Sequence, residues 1–171
     1  MNTERNLYLY DLISNHSVAP IIAEIHRFND EDTGIPTKDR QPIHLHVNSG
    51  GGVLYDAFVL IPAIEQSKTL VYTYAGYAMS SAVPIVAAGH KRFATEYSTF
   101  MIHQPTEPLG EDKYFVLKNR LQETERLMNM RINYLNSNTK LTKEDFEKNQ
   151  YIDWFMDAKT ALKFGIVDQI I

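Results

Sequence analysis

The 171-residue chain contains no cysteine, which excludes disulfides, thiolate-bound zinc or iron–sulfur clusters and a cysteine nucleophile. Positive charge is scarce and scattered. Lys and Arg number 17 against 21 Asp and Glu, for a net charge of -4, and no basic stripe is present to neutralise phosphates, so no nucleic-acid partner is expected. Long apolar runs are missing too. The most apolar stretches, 53–64 and 82–88, are short or interrupted by Asp56, Pro62 and Pro84, whereas a membrane helix needs roughly 18 or more uninterrupted apolar residues. Met1-Asn2-Thr3-Glu4-Arg5 leads straight into strand-like sequence with no secretory signal pattern. What remains is a chain that is 44% hydrophobic and 22% charged, the balance of one soluble, cytoplasmic domain able to bury its own core.

Short strand-like runs alternate with helical ones, the pattern of an α/β domain with much parallel pairing. A strand is predicted at 7–10, followed by a helix with Val18, Ile21, Ile22, Ile25 and Phe28 on one face and a polar loop over 29–41. Residues 43–47 alternate with period two. A helix is predicted over 53–66 with Pro62 as a kink or end, then a strand over 69–75 stopped by Gly76 and a short apolar helix over 80–88 closed by Gly89. Residues 92–102 suit two short strands. The helix expected over 112–136 carries Tyr114, Leu117, Leu121, Met128, Ile132 and Leu135 as a stripe, which reads as a core face. Thr142 to Asp145 resembles a helix start, Asp157 a cap for 158–164, and Gly165 a stop before a last strand at 166–167.

Three places could carry chemistry. Gly50, Gly51 and Gly52 lie between a strand and a helix, where backbone N–H groups can approach an anion closely. No Walker or Gly-x-Gly-x-x-Gly pattern accompanies them, which leaves an oxyanion hole or a plain tight turn. Ser80 and Ser81 sit at a strand-to-helix junction without the Gly-x-Ser-x-Gly elbow, either as a nucleophile or as a simple helix cap. Among six histidines, His103 ends an apolar strand and suits a base. His44 and His46 share one strand face and could form half of a metal site, while His16 and His26, near the first helix, read as exposed or packing residues and His90 as a turn residue after Gly89.

Four separated motifs then agree with one family in order and spacing. They are Asn48-Ser49-x-Gly51-Gly52, Gly76-x-Ala78-x-Ser80-x-Ala82, Met101-Ile102-His103-Gln104-Pro105, and Asp153-x-Phe155-Met156-x-Ala158 with Phe164-Gly165-Ile166-Val167-Asp168. From about Arg5 to Ile171 the chain resembles the proteolytic subunit of the Clp protease, the ClpP family. The resemblance implies an α/β, ClpP/crotonase-like fold made of one serine peptidase domain over 1–171, with a protruding handle at about 104–139. It implies Ser80 as nucleophile, His103 as base and then acid, Asp153 as the group that orients the imidazole, and backbone N–H groups of Gly52 and Ser81 as the oxyanion hole, with no metal and no cofactor. Asp145, Asp157 and Asp168 are left as helix or surface carboxylates. The substrates implied are peptides or unfolded proteins, added as a strand beside residues 52–54 and after His103. The assembly implied is a homo-oligomer of stacked heptameric rings that cleaves peptides without ATP by itself.

The departures point to a divergent member. The usual N-terminal axial-loop segment is not expected here, and two positions commonly aromatic in the family's docking cleft for the ATPase loop are His44 and His46, leaving a Clp-type ATPase partner open. Gly50 replaces a usual proline, Pro84 falls early in its helix, and the segment 34–41 is longer than the family's turn. The alternatives are a non-catalytic or regulatory subunit joining another ClpP ring, and an acyl-CoA enzyme of the crotonase type, which gives Ser80, His103 and Asp153 no joint purpose.

Overall fold

The computed structural model describes residues 5–106 and 110–171. The expectation about residues 1–4 and the part of the handle at 107–109 lie outside the described residues. The elements are β1 (Asn6–Leu9), α1 (Asn15–Glu31), a 3-10 turn (Thr37–Asp39), β2 (Ile43–Ser49), α2 (Leu54–Glu65), β3 (Val71–Met79), α3 (Ala82–Ala87), β4 (Lys91–Ile102), α4 (Tyr114–Asn138), α5 (Lys143–Asn149), β5 (Trp154–Asp157), α6 (Ala158–Lys163) and β6 (Gln169–Ile170). This is the expected α/β class.

Parallel pairing runs in the order β1-β2-β3-β4, with β5 antiparallel to β4 and β6 parallel to it. Period-two alternation makes β2 two-faced: Ile43, Leu45 and Val47 are buried, while His44 and His46 are only half-buried on the other side. The one-sided stripe of α1 buries Val18, Ile21, Ile25 and Phe28, and Ser14 starts that helix with a capping box to Ser17. Thr142 with Asp145, and Asp157 with the Thr160 N–H, cap α5 and α6 as their sequences predict.

Four expectations need correction. Gly76 does not stop β3; it is the extra residue of a bulge against β2, where the Asn48 side chain accepts from the Tyr77 N–H at 3.1 Å. Residues 91–102 form one strand, because an excursion over 95–98 is bridged by the Ser98 hydroxyl, which accepts from the Thr95 N–H and donates to the Ala75 carbonyl. Ile166 and Val167 are buried loop residues, and the last strand is Gln169–Ile170. Finally, α4 is core only in its C-terminal half. Leu135 is fully buried and Ile132 packs against the core, whereas Tyr114 is 70% and Leu121 49% exposed. Pro62 sits within the last turn of α2 without ending it, and Pro84 occupies the first turn of α3, where an N–H has no helical partner in any case. No helix among the described residues is long and apolar enough to cross a membrane.

Candidate active site

Strand register brings three candidate side chains together. β3 pairs with β4 up to Met79 opposite Met101, and the Ser80 N–H extends that ladder by donating to the Met101 carbonyl at 2.7 Å. β5 pairs antiparallel with β4 from Ile102 opposite Trp154, so His103 leaves β4 just where Asp153 enters β5. One central strand thus seats Ser80 on one flank and Asp153 on the other.

The backbone then turns sharply. Ser80 has φ 53 and is the only non-glycine with positive φ among the described residues. Such a conformation costs roughly 1–2 kcal/mol for a residue with a Cβ. Its hydroxyl is not used as a helix cap. It lies 2.9 Å from His103 Nε2, within hydrogen-bond reach. Nor does Ser81 cap α3 with its side chain; the Ser81 hydroxyl donates instead to the Gly52 carbonyl at 3.1 Å.

The opposite nitrogen of the imidazole is less tightly held. His103 Nδ1 is 3.9 Å from Asp153 Oδ1, beyond a hydrogen bond, and the Asp153 side chain is 63% exposed. The His103 carbonyl is fixed from a third element by the Arg131 guanidinium of α4, which donates to it at 2.7 Å.

The glycine loop between β2 and α2 presses against Ser80. Gly51 has φ 94, and a Cβ there would stand 2.7 Å from Ser80 Cβ; Gly52 has φ 147, and a Cβ there would stand 2.3 Å from the Ile13 carbonyl oxygen. Both positions need glycine for conformation and for room. The Ile13 N–H donates to the Gly51 carbonyl and the Val53 N–H to the Ile13 carbonyl, each at 2.8 Å. So pinned, the loop leaves the N–H groups of Gly52 and Ser81 without an intramolecular partner among the described residues. A serine hydroxyl bonded to an imidazole beside two adjacent unpaired amides has the parts for acyl transfer.

The other candidates lie elsewhere. His16, His26 and His90 are exposed, and His90 Nδ1 accepts from the Val71 N–H. His44 and His46 join an aromatic row in which His46 stacks on Tyr8 and on Tyr74, and His44 Nδ1 lies 2.9 Å from the Tyr74 hydroxyl. Burial pushes both below the ordinary histidine pKa, and for His46 the His44 charge adds to it. No metal-binding cluster of His, Asp or Glu is found among the described residues. Asp145 and Asp157 are caps, and Asp168 pairs with Arg92. Sequence reasoning missed Arg131, although an arginine on an otherwise apolar helix stripe was a visible signal. It also missed the left-handed seat of Ser80, for which residue types offer no sign.

The family model described as Clp protease matches residues 1–171. The ATP-dependent Clp protease proteolytic subunit 2 of Synechococcus sp. (strain CC9605) is 31% identical over 173 residues, covering 98% of this chain and 83% of its own length. Proteolytic subunit 3 of Synechococcus sp. (strain CC9902) is 28% identical over 174 residues, covering 100% and 84%. Proteolytic subunit 2 of Prochlorococcus marinus (strain NATL2A) is 26% identical over 174 residues with the same coverage.

Proposed function

The chain belongs to the Clp protease family, and from that membership we propose that it is a serine endopeptidase subunit, with Ser80 as nucleophile, His103 as general base, Asp153 as the orienting carboxylate and the Gly52 and Ser81 N–H groups as oxyanion hole. The 2.9 Å approach of Ser80 Oγ to His103 Nε2 carries this reading. His103 takes the hydroxyl proton as Ser80 attacks a peptide carbonyl, and the two amides receive the developing oxyanion. His103 then gives the proton to the leaving amine, and water repeats the sequence on the acyl-enzyme. Substrate is an extended peptide or unfolded chain, paired through its main chain beside Val53, so side-chain selectivity is weak.

The relatives are named as subunits of an ATP-dependent protease, and assembly into stacked rings in the cytoplasm is the corresponding proposal here. The exposed half of α4 supplies the handle. Labelling with a fluorophosphonate followed by peptide mapping tests the site: a single adduct on Ser80, lost in His103→Ala, is expected. An adduct on Ser81, or labelling indifferent to His103, overturns the assignment. The 3.9 Å gap to Asp153 favours one second reading, a regulatory subunit that is silent alone. Peptide cleavage by the purified chain, abolished in Ser80→Ala, rules that out.

A further inference from the structure

Beside His103 a cavity of about 440 Å³ opens between α4 and α5. His103 lines one side of it, whereas Ser80, Ser81 and Gly52 do not, so it adjoins the candidate site from the histidine side without including Ser80 or the glycine loop. Its walls combine the apolar faces of Phe146 and Trp154 with the cations Arg131 and Lys143 and a single carboxylate, Glu147.

Arg131 is the anomaly in this wall. It is 4% exposed, its Nη2 donates to the His103 carbonyl, and its Nε has no hydrogen-bond partner. No carboxylate pairs with it among the described residues. Burial lowers its pKa to about 10, so the guanidinium keeps its charge at neutral pH. A buried cation without a counter-ion is strongly disfavoured unless something supplies one, and a guanidinium edge matches a carboxylate geometrically.

We infer that this cavity is a binding site for an organic carboxylate with an apolar body, the carboxylate pairing with the Arg131 guanidinium and the body lying against Phe146 and Trp154. Because the same guanidinium holds the His103 carbonyl, occupancy changes how firmly His103 is placed; this regulatory half rests on the proposed role of His103, whereas binding does not. A free metabolite and the C-terminus of a peptide share this chemistry.

Trp154 is the only tryptophan of the chain, so its fluorescence reports the cavity directly. Titration of the purified full chain with 4-phenylbutyrate is expected to give a saturable change, with 4-phenylbutyramide at least tenfold weaker, and Arg131→Gln is expected to weaken the acid at least tenfold. N-acetyl-Leu-Phe against its C-terminal amide distinguishes the peptide source. Equal responses to acid and amide in the unaltered chain for both pairs, or no saturable response to either acid, overturn the site even where Arg131→Gln fails to fold. Saturation with the acid is further expected to change the rate of fluorophosphonate labelling at Ser80 at least twofold, and an unchanged rate removes the coupling. Failure of Ser80 to label at all, with the Trp154 response intact, counts against the peptidase reading and leaves the binding site standing.

Discussion

Ser80 carries two demands at one residue. Its hydroxyl must stand clear of the following helix to meet His103, and that is achieved by a left-handed backbone, φ 53, which a side chain with a Cβ adopts at a cost. Activity and stability therefore separate here. On the proposed role of Ser80, Ser80→Gly and Ser80→Ala are both expected to abolish fluorophosphonate labelling, but Ser80→Gly is expected to be the more stable of the two by about 1 kcal/mol, because glycine accepts positive φ freely. Paired urea denaturation of the two variants measures this. An alanine variant as stable as the glycine one means that the seat is not strained. The conservative-looking change is thus the worse one, and nothing in the letters Met79-Ser80-Ser81 signals it.

Among the elements, legibility followed how one-sided each face is. α1 and β2 were readable because their buried positions follow a single period, with Val18, Ile21, Ile25 and Phe28 on the helix and Ile43, Leu45 and Val47 on the strand. β3 and β4 were cut short in sequence because their irregularities are repaired by distant side chains, Asn48 and Ser98, which no local window contains. The residues of the candidate site were legible from motif order, but their meeting depends on the Met79–Met101 and Ile102–Trp154 registers. The stripe of α4 misled most, since it is continuous in sequence yet splits in space. Its second half is tied down by the Tyr134 hydroxyl donating to Glu65 at 2.6 Å, while Tyr114 and Phe115 are 70% and 72% exposed. If that first half is an interface between copies, Tyr114→Lys with Phe115→Lys is expected to leave the thermal melt of the dissociated subunit nearly unchanged, within about 0.5 kcal/mol per site as for other exposed positions. Sedimentation velocity is expected to show smaller assemblies. Unchanged assemblies exclude this surface as the handle contact.

For the molecule as a whole, acid exposes two separate supports of the fold. Arg5, just before β1, holds Asp32, just after α1, through two hydrogen bonds of 2.6 and 2.8 Å, and Thr69 ahead of β3 donates to the same carboxylate at 2.7 Å. These contacts hold the Asp32 carboxyl below its ordinary pKa. Its contribution is therefore complete above the unfolded-state value near 4 and is lost as pH falls through the lower folded value. The histidines act earlier. His44 and His46 are pushed below the ordinary value near 6.5 by burial among the tyrosines. As pH falls below that value the unfolded chain takes up protons that the folded chain refuses, so stability declines from about pH 6.5 toward their folded values. Thermal melts between pH 8 and 3 are thus expected to show a first decline starting near pH 6.5 and a second below about 4. His44→Phe with His46→Phe keeps the aromatic stacking and is expected to flatten only the first. Asp32→Asn leaves Arg5 buried without its partner, a loss of about 3–5 kcal/mol at neutral pH, and is expected to remove the second. A double histidine variant whose melting temperature still falls between pH 6.5 and 5 as in the unaltered chain shows that the aromatic row of the sheet is not what senses acid.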